Sequence, residues 1–383
     1  MKILFLQKVD DARGGVINVN LCMMQMLSTQ DNEISVLSIR HGYTMDEIIY
    51  PETIKQYLAN DKDIWGCPRL FEIARFLKQG HLVKAVKLAS ERIRYKKQIA
   101  KDYEETRRLI DKIGPDVIIV SHYEILEGVP EEYLGHTIMH FHTSFDQVMA
   151  NKSYIDTFNK YKDKIHSFVW LSKATAKRAI EYGYKNSLFI YNPIPFSSDQ
   201  VADHDNKKVI FLGRLSDEKR VHLAIRYFKE VIEKNHIDDW MFEIYGNGDL
   251  EKDIKEEIGE HPCVKYMGRT DNVKETLLTG SVMVLTSSFE GMPLSVLEAN
   301  ECGVPVIAYD FGESANEVID DKVTGVIVPQ DDEEEYKRQL EKIILDNGYR
   351  WQLSANAKEF VKAFSITSVN DEWGKLLMEI SKK

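Results

Sequence analysis

Val282-Met-Val-Leu-Thr-Ser-Ser-Phe-Glu-Gly-Met-Pro-Leu-Ser-Val-Leu-Glu-Ala-Asn-Glu-Cys-Gly-Val-Pro-Val-Ile-Ala308 reads as a strand, a loop, a helix and a second strand. Val282–Thr286 and Val304–Ala308 are short apolar runs rich in β-branched residues. Between them a helix is predicted to begin near Pro293, a residue favoured in first turns. Its amides point back into a loop that holds Glu290 and Gly291, which makes the loop a ready anion site. Glu298 lies about a turn and a half further on, at ~1.5 Å per residue. The two carboxylates can therefore line one site at different depths and accept hydrogen bonds from hydroxyl groups.

The same alternation of apolar run and helical pattern extends outward in both directions, as parallel α/β layering requires. Lys208–Leu212, Met241–Tyr245, Val264–Tyr266 and Gly325–Val328 are predicted strands, and Val221–Lys234 is a predicted helix. Nearer the N-terminus, strands are predicted at Lys2–Leu6, Ile34–Ile39, Asp116–Ser121, Thr137–Phe141 and Ser167–Leu171, with helices at Val16–Leu27 and Lys173–Glu181, the latter capped by Ser172. The pattern breaks near Ile190-Tyr-Asn-Pro-Ile-Pro and restarts as it began. Two domains are therefore expected, residues 1–193 and 194–368. A length of 383 residues suits two cores better than one.

Ligands in open parallel sheets sit at the carboxyl ends of strands, so the loops there carry the candidate chemistry. Phe211-Leu-Gly-Arg-Leu-Ser-Asp-Glu-Lys-Arg places Gly213, Arg214 and Lys219 after one strand. An Arg fork and a Lys point charge suit a diphosphate that gains negative charge as a bond to it breaks. Asp11-Ala-Arg-Gly14-Gly15 follows the first strand, and two glycines allow close approach of backbone to a phosphate or make a plain turn. Gly246-Asn247-Gly248 follows another strand but is too short for a dinucleotide fingerprint. His140 and His142 fall on one side of an extended chain. No third ligand accompanies them, so a zinc site is not expected, and a core or capping role stays open. Asp61-Lys-Asp63 and Asp203-His-Asp205 resemble a metal-holding Asp-x-Asp only formally.

Glu290-Gly-x-Pro-x-x-x-x-Glu298 followed by Gly303-x-Pro-Val-Ile resembles the signature of the family 4 glycosyltransferases of the GT-B fold. The likeness runs from about Val209 to Pro329. It implies two Rossmann-like doubly wound domains facing a central cleft, with a C-terminal helix around Trp373–Ile380 that returns residues 369–383 to the first. The nucleotide diphosphate sugar would bind the second domain and the acceptor the first, and the anomeric configuration would be retained. Glu290 would face the donor sugar and Glu298 the ribose. The backbone at Gly291, Met292, Leu294 and Ser295 would surround sugar and phosphate, and Arg214 and Lys219 would take the place of a metal. His142, or else His140, would lie beside the anomeric carbon. The Gly14-Gly15 loop would touch the donor phosphate or the acceptor, and Gly213, Gly246, Asn247 and Arg269 would border the nucleotide. UDP is the expected nucleotide, with no separate cofactor. Another GT-B enzyme, such as a phosphorylase or nucleotide-sugar epimerase, or a non-catalytic partner of the same fold, are the rival readings.

A net charge of −11 argues against a general nucleic-acid binder. Residues 62–112 oppose that trend, with 14 Lys/Arg against 7 Asp/Glu. The helical patterns at Leu70–Leu77 and Leu82–Ile99 within this stretch read either as a solvated pair over the first sheet or as a surface that rests on anionic lipid. Four scattered cysteines with no CxxC fit a reducing cytoplasm. No apolar run nears the ~20 residues of a membrane span, so any membrane contact is expected to be peripheral, with a glycan or lipid-linked glycan as acceptor.

Overall fold

The computed structural model describes residues 1–10, 15–41, 50–60 and 70–382. Among them, thirteen strands form two parallel sheets. The first contains β1 (Lys2–Asp10), β2 (Glu33–His41), β3 (Lys55–Asn60), β4 (Val117–Val120), β5 (Thr137–His140), β6 (Ser167–Trp170) and β7 (Ser187–Phe189), in the order β3-β2-β1-β4-β5-β6-β7. The second contains β8 (Lys208–Leu212), β9 (Met241–Tyr245), β10 (Val264–Gly268), β11 (Val282–Leu285), β12 (Val306–Tyr309) and β13 (Gly325–Val328), in the order β10-β9-β8-β11-β12-β13. Each sheet begins with the strand that ends up in the middle and reverses direction beside it. This is the doubly wound Rossmann pattern, and its ligand crevice opens where the order reverses. The fold is thus α/β of the GT-B class, with two Rossmann-like parts.

Compactness divides the chain into Met1–Phe141, Asn151–Val169 and Leu376–Lys383 as one unit, and His142–Ala150 with Trp170–Lys375 as the other. The first sheet, by contrast, runs on to Phe189. Sheet membership and compactness therefore part company between Trp170 and the junction read near residue 193.

Central strands are apolar on both faces because helices cover both. All four residues of β4, β5, β11 and β12 are buried. In the second sheet one face packs on Val221–Lys234 and Glu333–Leu345 through Ala224, Phe228, Val231, Tyr336 and Leu340. The other packs on Leu294–Glu301 through Val296, Leu297 and Ala299.

Two strands escaped the sequence. β3 (KQYLAN) and β7 (SLF) are the edges of the first sheet, short and partly exposed, so neither carries a clear apolar run. β12 starts at Val306 rather than Val304, since Pro305 has no N–H to give a ladder. The helix read as Leu82–Ile99 continues to Ile113, where Gly114 caps it in a left-handed conformation at φ 58°. Its later turns look too charged to be buried, yet Asp102 is buried because Arg40 (2.6 and 2.8 Å) and Asn60 (2.8 Å) bind it.

Candidate functional site

β8 and β11 are neighbours across the reversal point of the second sheet, pairing Val209 with Val282 and Ile210 with Met283. The two loops that leave their carboxyl ends are tied together by main chain. Ser288 N–H donates to the Glu218 carbonyl (2.8 Å), and the Thr286 hydroxyl donates to the carbonyls of Lys219 (3.0 Å) and Arg220 (2.9 Å). Arg220 donates from Nε to the Thr286 carbonyl (2.8 Å) and from its two Nη atoms to Asp331 and Gln330 (2.6 Å each). Arg220 is thus committed to holding the loops rather than a ligand.

On this frame Lys219 forms an ion pair with Glu290, whose Oε1 also accepts from the Ser287 hydroxyl at 2.6 Å. Both charged side chains are mostly buried, 16% and 12% exposed, so neither is a freely solvated surface group. Arg214 lies on the same loop but is exposed. It reaches the cluster through its field on Glu218. Burial works to raise the Glu218 carboxyl, but the Ser216 hydroxyl, a backbone N–H and the charges of Lys219 and Arg214 outweigh it and hold the group below its usual range. A half-buried cation beside an acid that accepts hydroxyl hydrogen bonds can hold a polyol next to a phosphate ester.

The helix that follows is Leu294–Glu301, with Pro293 as its N-cap rather than in its first turn. No side chain caps its first amides. Met292 is buried at 6% in the core, so only its main chain is available to a ligand. Ahead of it, a Cβ on Gly291 would stand 2.9 Å from the His142 carbonyl oxygen and 3.1 Å from the Thr143 Cα. This position therefore accepts only glycine without a backbone shift, and it brings His142 to the Glu290 loop. His140, by contrast, ends β5 inside the core, where burial lowers its pKa to about 3. The half-buried His142 is the histidine of the pair that the loops can present.

Glu298 faces no cation among the described residues, and burial raises its carboxyl from the usual 4.5 to about 7. The folded chain thus holds this proton to higher pH than the unfolded chain. The contribution to stability is complete below about pH 4.5 and is lost as pH rises through about 7. Glu298→Gln is expected to flatten the stability profile across this window and to gain up to ~3 kcal/mol over the parent near pH 8. Parallel profiles for parent and variant, from thermal melts between pH 4.5 and 8, would remove Glu298 as the titrating group.

The remaining candidates divide plainly. Gly213 N–H donates to the Tyr245 carbonyl (3.1 Å), Leu215 N–H to that of Asn247 (2.9 Å) and Gly246 N–H to that of Gly268 (2.9 Å). A Cβ at Gly246, φ 141°, would fall 1.8 Å from the Gly213 carbonyl oxygen, and one at Gly248 would fall 2.2 Å from that of Leu215. The glycines of this loop serve close backbone packing around the site. Asn247 is exposed, and Arg269 pairs with Asp271 at 3.2 Å on the surface. Ser295 is half-buried on the helix. Gly15 opens the helix Gly15–Ser28 in the other unit, and Gly14 lies outside the described residues, as does Asp61-Lys-Asp63. Asp146, a carboxylate with no role assigned from sequence, pairs with Arg178 at 2.7 Å. Asp203 caps a short 3-10 turn by accepting from Asp205 N–H, and no group of three metal-ligating side chains occurs among the described residues.

Ser287 was missed by sequence reading, although a hydroxyl three residues before a loop carboxylate is a detectable signal. The contact of Gly291 with His142 carries no local signal, because the two are far apart in the chain.

Residues 195–360 match the family model described as Glycosyl transferases group 1. Over 200 residues the chain is 30% identical to the Campylobacter jejuni GalNAc-alpha-(1->4)-GalNAc-alpha-(1->3)-diNAcBac-PP-undecaprenol alpha-1,4-N-acetyl-D-galactosaminyltransferase, covering 51% of this chain and 55% of that protein. The match thus spans about half the length of that relative. The Bacillus subtilis poly(glycerol-phosphate) alpha-glucosyltransferase is 22% identical over 254 residues, 64% of this chain and 37% of its own. Among solved structures, a mutant of S. aureus TarM in complex with Fondaparinux, alpha-GlcNAc-glycerol and UDP superposes with a TM-score of 0.76 at 15% identity, covering 98% of this chain and 100% of the other. Anabaena HepE in complex with UDP-glucose gives 0.73 at 16% identity, covering 99% and 100%. Likenesses at this identity speak for the fold.

Proposed function

We propose that this chain is a metal-independent, retaining glycosyltransferase of the family 4 type that moves a hexose or N-acetylhexosamine from a UDP-sugar to an acceptor hydroxyl. The observation that carries the reading is the Lys219–Glu290 pair at the reversal point between β8 and β11, inside the segment that matches the transferase family. Lys219 and Arg214 neutralise the diphosphate as the bond from its oxygen to the anomeric carbon breaks. The acceptor oxygen forms the new bond from the face that the leaving group vacates, and the acceptor proton passes to the departing phosphate oxygen. Glu290 accepts hydrogen bonds from sugar hydroxyls, and Glu298 from the ribose. The first-turn amides of Leu294 and Ser295 meet the phosphates, and His142 orients the sugar. Acceptor binding falls to residues 1–193, joined by 369–383, and donor binding to 194–368.

The acceptor class is a lipid-linked or polymeric cell-surface glycan, in keeping with the undecaprenol-linked and poly(glycerol-phosphate) substrates in the names of two relatives. No helix among the described residues is long and apolar enough to cross a membrane, and the proposed place of action is the cytoplasmic side.

A panel of UDP-, GDP- and ADP-sugars tests the reading. UDP release that depends on an acceptor, with the product's anomeric configuration unchanged by NMR, is the expected result. Inversion at the anomeric carbon, or release of sugar phosphate in place of nucleotide, overturns it. Glu298→Ala is expected to weaken UDP binding about tenfold through loss of the carboxyl's hydrogen bond to the ribose, with little change in turnover at saturation. An unchanged Kd removes the ribose assignment.

A further inference from the structure

Arg220 follows Lys219 in the chain, in a backbone conformation that a side chain adopts at a cost. Its φ is 47°, in the left-handed region that favours glycine. Such a conformation persists only where the surroundings over-determine it. Here the side chain does so, with the Thr286 carbonyl on Nε, Asp331 on one Nη and Gln330 on the other. The guanidinium carbon also lies 5.1 Å from the centre of the Tyr309 ring, a cation–π distance. Tyr309 is fully buried, and its hydroxyl shares a hydrogen bond with that of Tyr227 at 3.0 Å. The ring therefore gives the cation a fixed floor.

Gln330 carries the grip further. Its Oε1 accepts from Arg220 at 2.6 Å, while Nε2 donates to the carbonyls of Asp310 (2.8 Å), Ser287 (3.0 Å) and Ser288 (3.3 Å). Arg220 belongs to the loop after β8 and the two serines to the loop after β11, while Asp310 follows β12 and Gln330 follows β13. These four strands are consecutive in the second sheet. Two side chains thus clasp the carboxyl ends of four strands, and both halves of the Lys219–Glu290 pair hang from the clasp. Lys219 adjoins Arg220, and Ser287, whose carbonyl Gln330 holds, gives its hydroxyl to Glu290. The Arg220 side chain is only 17% exposed, so it is part of the frame and not a solvated surface charge.

We propose that Arg220 and Gln330 are positioning residues for the Lys219–Glu290 pair, and that departure of the diphosphate depends on their clasp. The consequence for turnover rests on the transferase reading, and the consequence for the geometry of the pair does not.

Competitive acetylation of lysines in the full-length protein, read by mass spectrometry, tests the geometry without any sugar. Lys219 in Arg220→Ala and in Gln330→Ala is expected to react about tenfold faster than in the parent, as its partnership with Glu290 loosens. Lys234, paired with Glu341 on the surface at 2.9 Å, is the reference and should keep the parent's rate. Arg220→Gly relieves the left-handed backbone and is expected to melt above Arg220→Ala, yet to leave Lys219 as reactive. No gain at Lys219, or an equal gain at Lys234, overturns the proposal.

In turnover of a UDP-sugar, Arg220→Ala is expected to lose about ten- to a hundredfold, with the donor KM within about threefold, since a misplaced group weakens the transition state more than the ground state. Arg220→Lys should stay low, because one ammonium cannot replace a planar fork that meets three acceptors. Added guanidinium ion should restore part of the turnover of Arg220→Ala. In a Lys219→Ala background, Arg220→Ala should cost less than about twofold more, because its effect passes through a side chain already removed. A full further loss in that background, or a loss confined to KM, overturns the proposal. Faster labelling of Lys219 in the variants, with no sugar transfer by the parent, supports the clasp and counts against the transferase reading alone.

Discussion

Lys219→Ala is expected to lower turnover by about 10²–10³, the loss typical when one fixed group aimed at developing charge is removed. The structure supplies the reason for so large an effect. Lys219 is largely buried, its loop is tied to the Thr286–Ser288 segment by hydrogen bonds from the Thr286 hydroxyl and the Ser288 N–H to its carbonyls, and its ammonium is already oriented against Glu290. A cation held in this way needs no reorganisation when a diphosphate departs. The same contact creates an ambiguity, since Lys219→Ala also leaves the Glu290 carboxylate with the Ser287 hydroxyl as its remaining partner. That should lower stability by about 1–3 kcal/mol. The double variant Lys219→Met/Glu290→Gln separates the two effects, because it removes both charges together. Its thermal midpoint should return toward that of the parent, while turnover stays low. Near-normal turnover in Lys219→Ala, measured as UDP release at saturating donor, would end the assignment of Lys219 to the leaving group.

Gly246→Ala is expected to be the most destabilising single substitution around the site, by about 3 kcal/mol or more. Two costs combine. The backbone at φ 141° is one that side chains rarely tolerate, and the added methyl would lie 1.8 Å from the Gly213 carbonyl oxygen, a main-chain atom that cannot rotate away. For a unit of this size the apparent Tm should fall by roughly 6–12 °C. Gly135→Ala is the control, since nothing lies within 4 Å of a Cβ there. A Gly246→Ala variant that melts with the parent would mean that the loops do not pack as described. A variant that folds but loses nucleotide affinity would show how closely the frame and the ligand site are joined.

The two effects illustrate what could and could not be read from the chain. Strands such as Lys208–Leu212, Met241–Tyr245 and Gly325–Val328, and the helix Val221–Lys234, appear with the limits read from sequence. Buried parallel strands announce themselves as unbroken apolar runs, and an amphipathic helix by its period. Lys219 and Glu290 could be placed in loops after strands by the same local logic. That those strands are neighbours could not, because strand order is decided by pairing between residues some seventy positions apart. β3 and β7 were invisible for a related reason, since an edge strand buries too little to need an apolar sequence. Gly246-Asn-Gly248 shows the opposite case. Its glycines are conspicuous in the sequence and suggest a ligand loop, but their immediate cause is the main chain of Gly213 and Leu215 lying against them. Arg220 carries the same lesson: a cation beside a candidate site was occupied in joining Thr286, Gln330 and Asp331.

The frame beneath the site is woven from amide groups and glycines. Its geometry does not depend on which side chains rise from it at Asn247 or Arg269, both turned to solvent. Such a scaffold divides labour: the skeleton preserves the position of the charge that drives departure, and the fringe is free to vary with the guest. Diversity in the choice of sugar or base can then accumulate at the fringe with little mechanical penalty to the skeleton.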